Sequence, residues 1–243
     1  MKILALGHYS RTGKDTFATR LISHCRELDP NFKVLRRTFA LKLKQIVHEL
    51  YGWAGAMPPE HYETPEGAKD REVRLAALAS PTFPEGPTYI ELLVSFGNAI
   101  RSKVYPETWI DFVLRGTPEC DLVVITDLRF ANEVKAVRAL DGRCMKIIRP
   151  GHMPRINESD LQLFQWRGWD YAYAFHDLDH IDAKAFQFAN SLTEGQWPLG
   201  WNYRADGFIH REAYKYESAE MNDLASCSGF LDAVDKWSHK GDI

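Results

Sequence analysis

The sequence predicts an α/β protein in three layers: a parallel sheet with helices on both faces, and a large aromatic-rich insertion late in the chain. Three observations lead there. Short apolar runs alternate with stretches of helical periodicity over residues 1–150, the pattern of a parallel sheet covered on both sides. The first of those runs ends in a turn that carries Gly-Lys immediately before a helix, an arrangement suited to holding phosphate. Residues 151–217 abandon the alternation, yet they hold 14 of the chain's 30 aromatic side chains, too much apolar ring surface for a disordered linker.

Each element has its own warrant. "KILAL" (2–6) is a short buried strand, and Phe17, Leu21 and Ile22 line one side of the helix that follows Lys14,. "FKVLRRTFA" (32–40) reads as a second strand, after which Phe39, Leu43, Ile46, Val47 and Leu50 recur at helical spacing up to Gly52. Residues 53–87 hold six of the twelve prolines, so a surface excursion is expected there. "TYIE" (88–91) pairs a capping hydroxyl with a glutamate three residues on and starts a helix,. "DLVVIT" (121–126) is a strand ending at Asp127, "NEVKAVRAL" (132–140) a helix, Asp141-Gly142 a turn, and "CMKII" (144–148) another strand. A last helix is expected at about 228–238. The expected organisation is a core at 1–150, an insertion at 151–217 serving as a lid or an interface, and a helical segment at 218–243 that completes the core.

Composition bounds the function. The 243 residues are 45% hydrophobic with a formal charge of −3, a globular balance without the basic surplus of a general nucleic-acid binder. No apolar run approaches the roughly 20 residues that span a bilayer, and the start lacks a cleavage region, so no membrane partner and a cytoplasmic location are expected. Cys25, Cys120, Cys144 and Cys227 form no CxxC pair and read as reduced, buried thiols.

The chemistry concentrates in "GHYSRTGKDT" (7–16). A phosphate loop usually reads G-x-x-x-x-G-K-[ST], whereas five residues separate Gly7 from Gly13 here, His8 stands where the first glycine belongs, and Asp15 follows the lysine. Lys14 would meet the β and γ phosphates of a nucleotide triphosphate, Gly13 lets the backbone approach them, and Thr16 adds a hydroxyl in the first helical turn. With Asp15 in the place of the Ser/Thr that ligates magnesium, Mg²⁺ would be held through waters and Asp127, at the end of an apolar strand; Asp127 also suits a helix N-cap. His8 restricts the loop's entry, and Gly7 is expected to compensate one residue earlier. Arg11, inside the loop, either stabilises transition-state charge or is a solvated surface residue.

In order and spacing, "RTGKDT" (11–16), "FALKLKQIVHELYGW" (39–53), "LLVSFGNAIRSKVYPETWI" (92–110) and "VVITDLRFANEVKAVRALDGRCMKIIRPG" (123–151) resemble the deoxynucleoside monophosphate kinases of bacteriophages. The most specific part is T-D-x-R-F-x-N-E followed by R-P-G. The resemblance implies a P-loop, nucleoside-monophosphate-kinase-like fold, ATP and Mg²⁺ as cosubstrate and cofactor, and phosphorylation of deoxynucleoside 5′-monophosphates for DNA precursor synthesis, in the host cytoplasm if the protein is phage-encoded. It implies that Lys14 binds the ATP phosphates together with Gly13, Asp15 and Thr16, and that Arg129 holds the acceptor or transferring phosphate beside Asp127. It places Arg36, Arg37, Lys44, Arg101, Trp109 and Glu133 with the acceptor, and Lys42 follows the second strand in the same region. Trp109 is equally suited to the core, Arg129 to a structural salt bridge, and the second-strand cations to solvent. After 151 the resemblance weakens: a His-x-Ser-Glu element is expected, and "YESAEMND" (216–223) only partly matches it.

Two other functions stay open, a kinase of another small acceptor such as dephospho-coenzyme A, and a nucleotide-binding module without turnover. A homodimer also stays open. "HDLDHID" (176–182) has two histidines at i and i+4 among three aspartates; it reads as a polar helix or turn rather than a metal site, since it lacks H-E-x-x-H and supporting cysteines.

Overall fold

The computed structural model describes residues 1–156 and 158–198, with Asp232, Asp235 and Lys236. In chain order the elements are β1 (Lys2–Gly7), α1 (Lys14–Leu28), β2 (Val34–Arg37), α2 (Leu41–Tyr51), α3 (Gly67–Asp70), α4 (Tyr89–Lys103), α5 (Thr108–Arg115), β3 (Leu122–Leu128), α6 (Ala131–Ala139), β4 (Arg143–Ile148), α7 (Glu158–Leu161), β5 (Tyr171–Ala174) and α8 (Leu178–Thr193). The chain divides into two compact units, one of Met1–Arg37 with Pro118–Ile243 and one of Thr38–Thr117.

The first unit is built on a five-stranded sheet in the order β2-β3-β1-β4-β5, every described pairing parallel. Alternation along the strands sends Leu4, Leu6, Leu122, Val124, Met145, Ile147, Tyr171 and Tyr173 to one face, where they form a single core with Phe17, Leu21 and Cys25 of α1 and Ala185, Phe188 and Leu192 of α8. The helix spacing explains the match: α1 buries positions 14, 17, 18, 21 and 25, and α8 buries 181, 185, 188, 189 and 192, each a stripe along one side. Asp177 caps α8 by accepting from the His180 N–H at 2.8 Å,. Asp182, in the same "HDLDHID" run, accepts from His24 Nε2 of α1 at 3.1 Å. Among the described residues no acidic, histidine and cysteine cluster suits a metal. The opposite face of the sheet is covered by Val134 and Val137 of α6 and by the buried pair Trp166 and Trp169, whose rings lie 4.6 Å apart between centroids.

The described part of 151–217 corrects the expected insertion. It supplies an edge strand, β5, paired with β4, and α8, which packs along α1, so residues 171–193 belong to the core of the sheet rather than to a lid. The reason lies in the connection from β4 to β5. Among its described residues only the four of α7 are helical, and buried Trp166 and Trp169 stand where a crossover helix usually packs. Cys227, the "YESAEMND" run and the remainder of the expected 228–238 helix lie outside the described residues, apart from Asp232, Asp235 and Lys236, which are helical.

The second unit comprises α2 to α5. The capping box read at Thr88 is present: Thr88 Oγ1 accepts from the Glu91 N–H at 3.2 Å, and Glu91 Oε2 accepts from the Thr88 N–H at 2.8 Å. The proline-rich stretch before it holds short turns and α3. Cys25, Cys120 and Cys144 are free and buried, as their separation in the sequence predicts.

Gly7, the last residue of β1, is a glycine for want of space. A Cβ built on it would lie 2.4 Å from Cη2 of the buried Trp169 and 3.3 Å from Leu128. Gly7→Ala should cost about 1–3 kcal/mol through overpacking, read as a lowered urea midpoint with an unchanged slope; stability equal to the wild type would mean that the Trp169 ring yields freely.

Candidate functional site

The turn from β1 into α1 leaves the sheet at its carboxyl edge, where a parallel sheet presents its ligands. Strand register brings three strands to the same level there, since Gly7 pairs with Leu128 of β3 on one side and with Lys146 of β4 on the other. The turn itself is tightly wound. His8, Arg11 and Gly13 have φ of 88°, 60° and 97°, and the first and second of these conformations are costly for side-chain-bearing residues. The expectation that Gly7 would take up the strain is not met, because His8 itself adopts the left-handed backbone. Its ring is buried, 4.1 Å from the Tyr9 ring and stacked on Phe164 at 6.0 Å between centroids. Burial, then Lys146, Lys14 and Arg129, hold the imidazole well below its usual range, so it is neutral at neutral pH.

Lys14 lies inside the turn it follows. Its Nζ donates to the Tyr9 carbonyl at 2.5 Å and to Thr12 Oγ1 at 3.1 Å. Burial first, with Arg129 next, depresses its pKa from 10.5 to about 7, against the opposing pull of Asp15, Asp160 and Asp127. Gly13 is the N-cap of α1 and provides no side-chain acceptor, so the amides of the first turn, including that of Thr16, have no capping side chain. Arg11 is exposed and makes no hydrogen bond or ion pair among the described residues. Asp15 is exposed and forms an ion pair with Arg36 from the end of β2, so these two predicted residues engage each other.

Asp127 and Arg129 stand at the end of β3, both half-buried, and both act electrostatically on Lys14. Asp127 is not the helix cap: α6 begins after Phe130. Glu133, expected with the acceptor, closes that turn, its Oε2 accepting from the backbone N–H of Arg129 at 2.7 Å and of Phe130 at 3.0 Å. Arg37 is half-buried at the end of β2. The other acceptor candidates belong to the second unit. There Lys44 donates to Glu63 at 2.9 Å, Arg101 is half-buried on α4, and Trp109 is buried with its Nε1 donating to the Gly97 carbonyl at 3.4 Å.

The residue that sequence reasoning missed is Asp160 in α7. It is buried, and its carboxylate accepts four hydrogen bonds: Oδ1 from the Ser10 N–H at 3.2 Å and from Arg129 Nη1 at 2.5 Å, Oδ2 from Ser10 Oγ at 2.8 Å and from the Arg155 N–H at 3.1 Å. Burial pushes its pKa up, but Arg129, Ser10 and Arg155 outweigh this and hold it below the ordinary value. Two further contacts tie the same segment to the loop, Tyr9 Oη donating to the His152 carbonyl at 2.6 Å and His152 Nε2 to the Ser10 carbonyl at 3.0 Å. A signal existed in "NESD" (157–160), which has the spacing of the expected His-x-Ser-Glu element, with an acid in the last place.

No family model matches the chain, and no curated protein matches it significantly.

The depressed pKa of Lys14 has a sign that can be measured. Between about 7 and 10.5 the folded protein binds less proton at this site than the unfolded chain, so the site's contribution to stability rises with pH across that window and is constant below it. Urea unfolding at pH 7, 8 and 9 should therefore show the wild type gaining stability relative to Lys14→Met; parallel profiles would show an ordinary, solvated lysine.

Proposed function

We propose that the protein is a phosphotransferase that moves the γ-phosphoryl group of ATP to a deoxynucleoside 5′-monophosphate. The observation that carries this reading is the Lys14 ammonium, drawn inside a strand-to-helix turn at the carboxyl edge of a parallel sheet, with Arg129 and Asp127 close enough to perturb it. A group this desolvated gains most from a multiply charged anion, and phosphoryl transfer depends on positioning and on neutralising charge spread over phosphate oxygens.

In the reaction an oxygen of the acceptor monophosphate forms a bond to the γ phosphorus as the bond from that phosphorus to the β–γ bridging oxygen breaks. ADP leaves with the bond's electron pair, and the acceptor becomes a diphosphate. Lys14 and the uncapped amides at the start of α1 would hold the ATP phosphates, and Arg129, with a planar fork suited to phosphate, would hold the transferring group. Arg11 is free to turn toward it. Mg²⁺ keeps several waters and is bound through one or two carboxylates with substrate phosphates; Asp127, a half-buried carboxylate at the end of β3 that acts on Lys14, fits that donor set. When bound, the ion would supply positive charge to the β and γ phosphates. The choice of a deoxynucleotide rests on the resemblance carried by the T-D-x-R-F-x-N-E block, as does the assignment of Arg36, Arg37, Lys44, Arg101, Trp109 and Glu133 to the acceptor.

ADP release with a panel of nucleoside monophosphates and dephospho-coenzyme A tests the reading. The wild type should turn over at least one deoxynucleotide, with kcat/KM above that of its ribonucleotide counterpart, and Lys14→Met should abolish turnover while remaining folded. Tight ATP binding with no acceptor in the panel would make the protein a binding module.

Arg129→Lys keeps a charge opposite Asp160 but loses the fork, so its kcat should fall on the order of 100-fold, the usual loss for one electrostatic contact in the transition state, with a small change in Tm. An unchanged kcat would leave Arg129 with its ion pair alone.

A further inference from the structure

We propose that Asp160 is a positioning residue of the phosphate site, holding the phosphate loop at Ser10 and the guanidinium of Arg129 in one fixed frame. The inference rests on the phosphotransferase reading and deepens it. Three places in the chain meet at one carboxylate: the loop after β1, through the N–H and Oγ of Ser10; the end of β3, through Arg129; and the segment after β4, through the Arg155 N–H. The side chain of Asp160 is only 3% exposed and that of Arg129 19%, so water is a poor substitute for either partner.

The geometry sets out what each oxygen does. Oδ1 is shared between Ser10 N–H and Arg129 Nη1, so the backbone of the loop and the guanidinium are fixed relative to each other through a single atom. Oδ2 takes the Ser10 hydroxyl and the amide of Arg155, which fixes the carboxylate itself. Arg129 engages Asp160 through Nη1, and a guanidinium has five N–H donors. Arg11 and Gly13 have left-handed backbone, and Tyr9 and Ser10 are further tied to His152. A displacement of about 1 Å between reacting groups costs on the order of 100-fold in rate, so a clasp between the two phosphate-holding elements has a catalytic consequence without touching substrate.

Charge gives this role a distinctive sign. A carboxylate beside an anion site repels the anion, so on charge alone the isosteric Asp160→Asn should strengthen phosphate binding. Positioning predicts the reverse for transfer. Asp160→Asn should lower kcat roughly 10- to 100-fold, the loss typical of removing an outer partner that orients a functional group, and should raise KM for ATP rather than lower it. Combined with Arg129→Lys it should cost little more, because both changes release the same guanidinium. A kcat per folded molecule equal to the wild type, however far Tm falls, overturns the inference, and so do losses that multiply independently in the double variant. Should Asp160→Asn not fold, Ser10→Ala removes one loop-side donor from the same carboxylate. It should lower kcat at unchanged Tm, and an unchanged kcat overturns the proposal.

If the wild type transfers phosphate to no acceptor, the kinase reading has failed, and the clasp is judged by titration calorimetry with inorganic tripolyphosphate. Weaker binding in Asp160→Asn, not additive with Arg129→Lys, upholds it; equal or tighter binding overturns it, as does a wild type that binds no tripolyphosphate.

Discussion

An ammonium group removed from water must be compensated where it lies, and Lys14 is compensated mainly by the loop that precedes it. The Tyr9 carbonyl and the Thr12 hydroxyl can reach Nζ only if the main chain curls back over the start of α1. That path requires left-handed backbone at Arg11 and Gly13. Each such residue other than glycine costs on the order of 1–3 kcal/mol, so the curl has to be held from outside. The contacts from Asp160 and His152 hold it. Lys14, Lys146 and Arg129 all act on His8, and Asp15, Asp160 and Asp127 oppose the effect of burial on Lys14. A neutral His8 adds nothing to that charge, which is the useful state for a ring placed among three cations.

The sheet makes the cluster possible. β1 lies at the centre of the order β2-β3-β1-β4-β5, so the loop after it is flanked by the ends of β3 and β4, and Asp127, Arg129 and Lys146 come to it from neighbouring strands. The two sides of the sheet contribute differently. α1 and α8 cover one side with a continuous apolar core, which anchors the start of α1 and with it Lys14. On the other side the Trp169 ring sits against Gly7, and the Trp166 ring lies under the Arg138 guanidinium at 5.1 Å. This second packing fixes where β1 ends and the loop begins.

Much of this was legible in the sequence, for local reasons. "KILAL", "DLVVIT" and "CMKII" are buried runs bounded by turn residues, and the Gly13-Lys14 step before an amphipathic stretch allows few other readings. The capping box at Thr88 was legible because its two hydrogen bonds lie within four residues. β5 and α8 were not legible as core. "YAYA" is a four-residue strand with no run of β-branched residues, and among the described residues the segment joining it to β4 is helical only over the four of α7, short of the helix by which a parallel crossover announces itself. Asp160 was missed for a different reason. Its partners Ser10 and Arg129 lie 150 and 31 residues away, and no periodicity in the chain marks a side chain whose role is set by tertiary contact. Glu133 was read with the acceptor because it sits in a distinctive block; its hydrogen bonds to the backbone of Arg129 and Phe130, which shape the turn that carries Arg129, were not legible there.

The two oddities of the sequence, a histidine where a phosphate loop has glycine and a surplus of aromatic residues after 151, are parts of one arrangement. A loop that begins with glycine needs no cover, since there is no side chain to bury. With His8 in left-handed backbone, the imidazole is directed into the protein, and it is covered by Tyr9 from the loop and Phe164 from the segment after α7. Phe164 can reach it only because that segment crosses the outside of the loop, where Trp166 and Trp169 hold it against the sheet and Asp160 ties it to Ser10 and Arg129. The strain at His8 is thus offset by aromatic packing supplied from about 155 residues later in the chain,. The segment that provides the packing also delivers the carboxylate that aligns the loop. The histidine at position 8 and the tether that keeps the loop in shape are therefore mutually dependent, and a glycine at position 8 would remove the side chain over which that tether is packed.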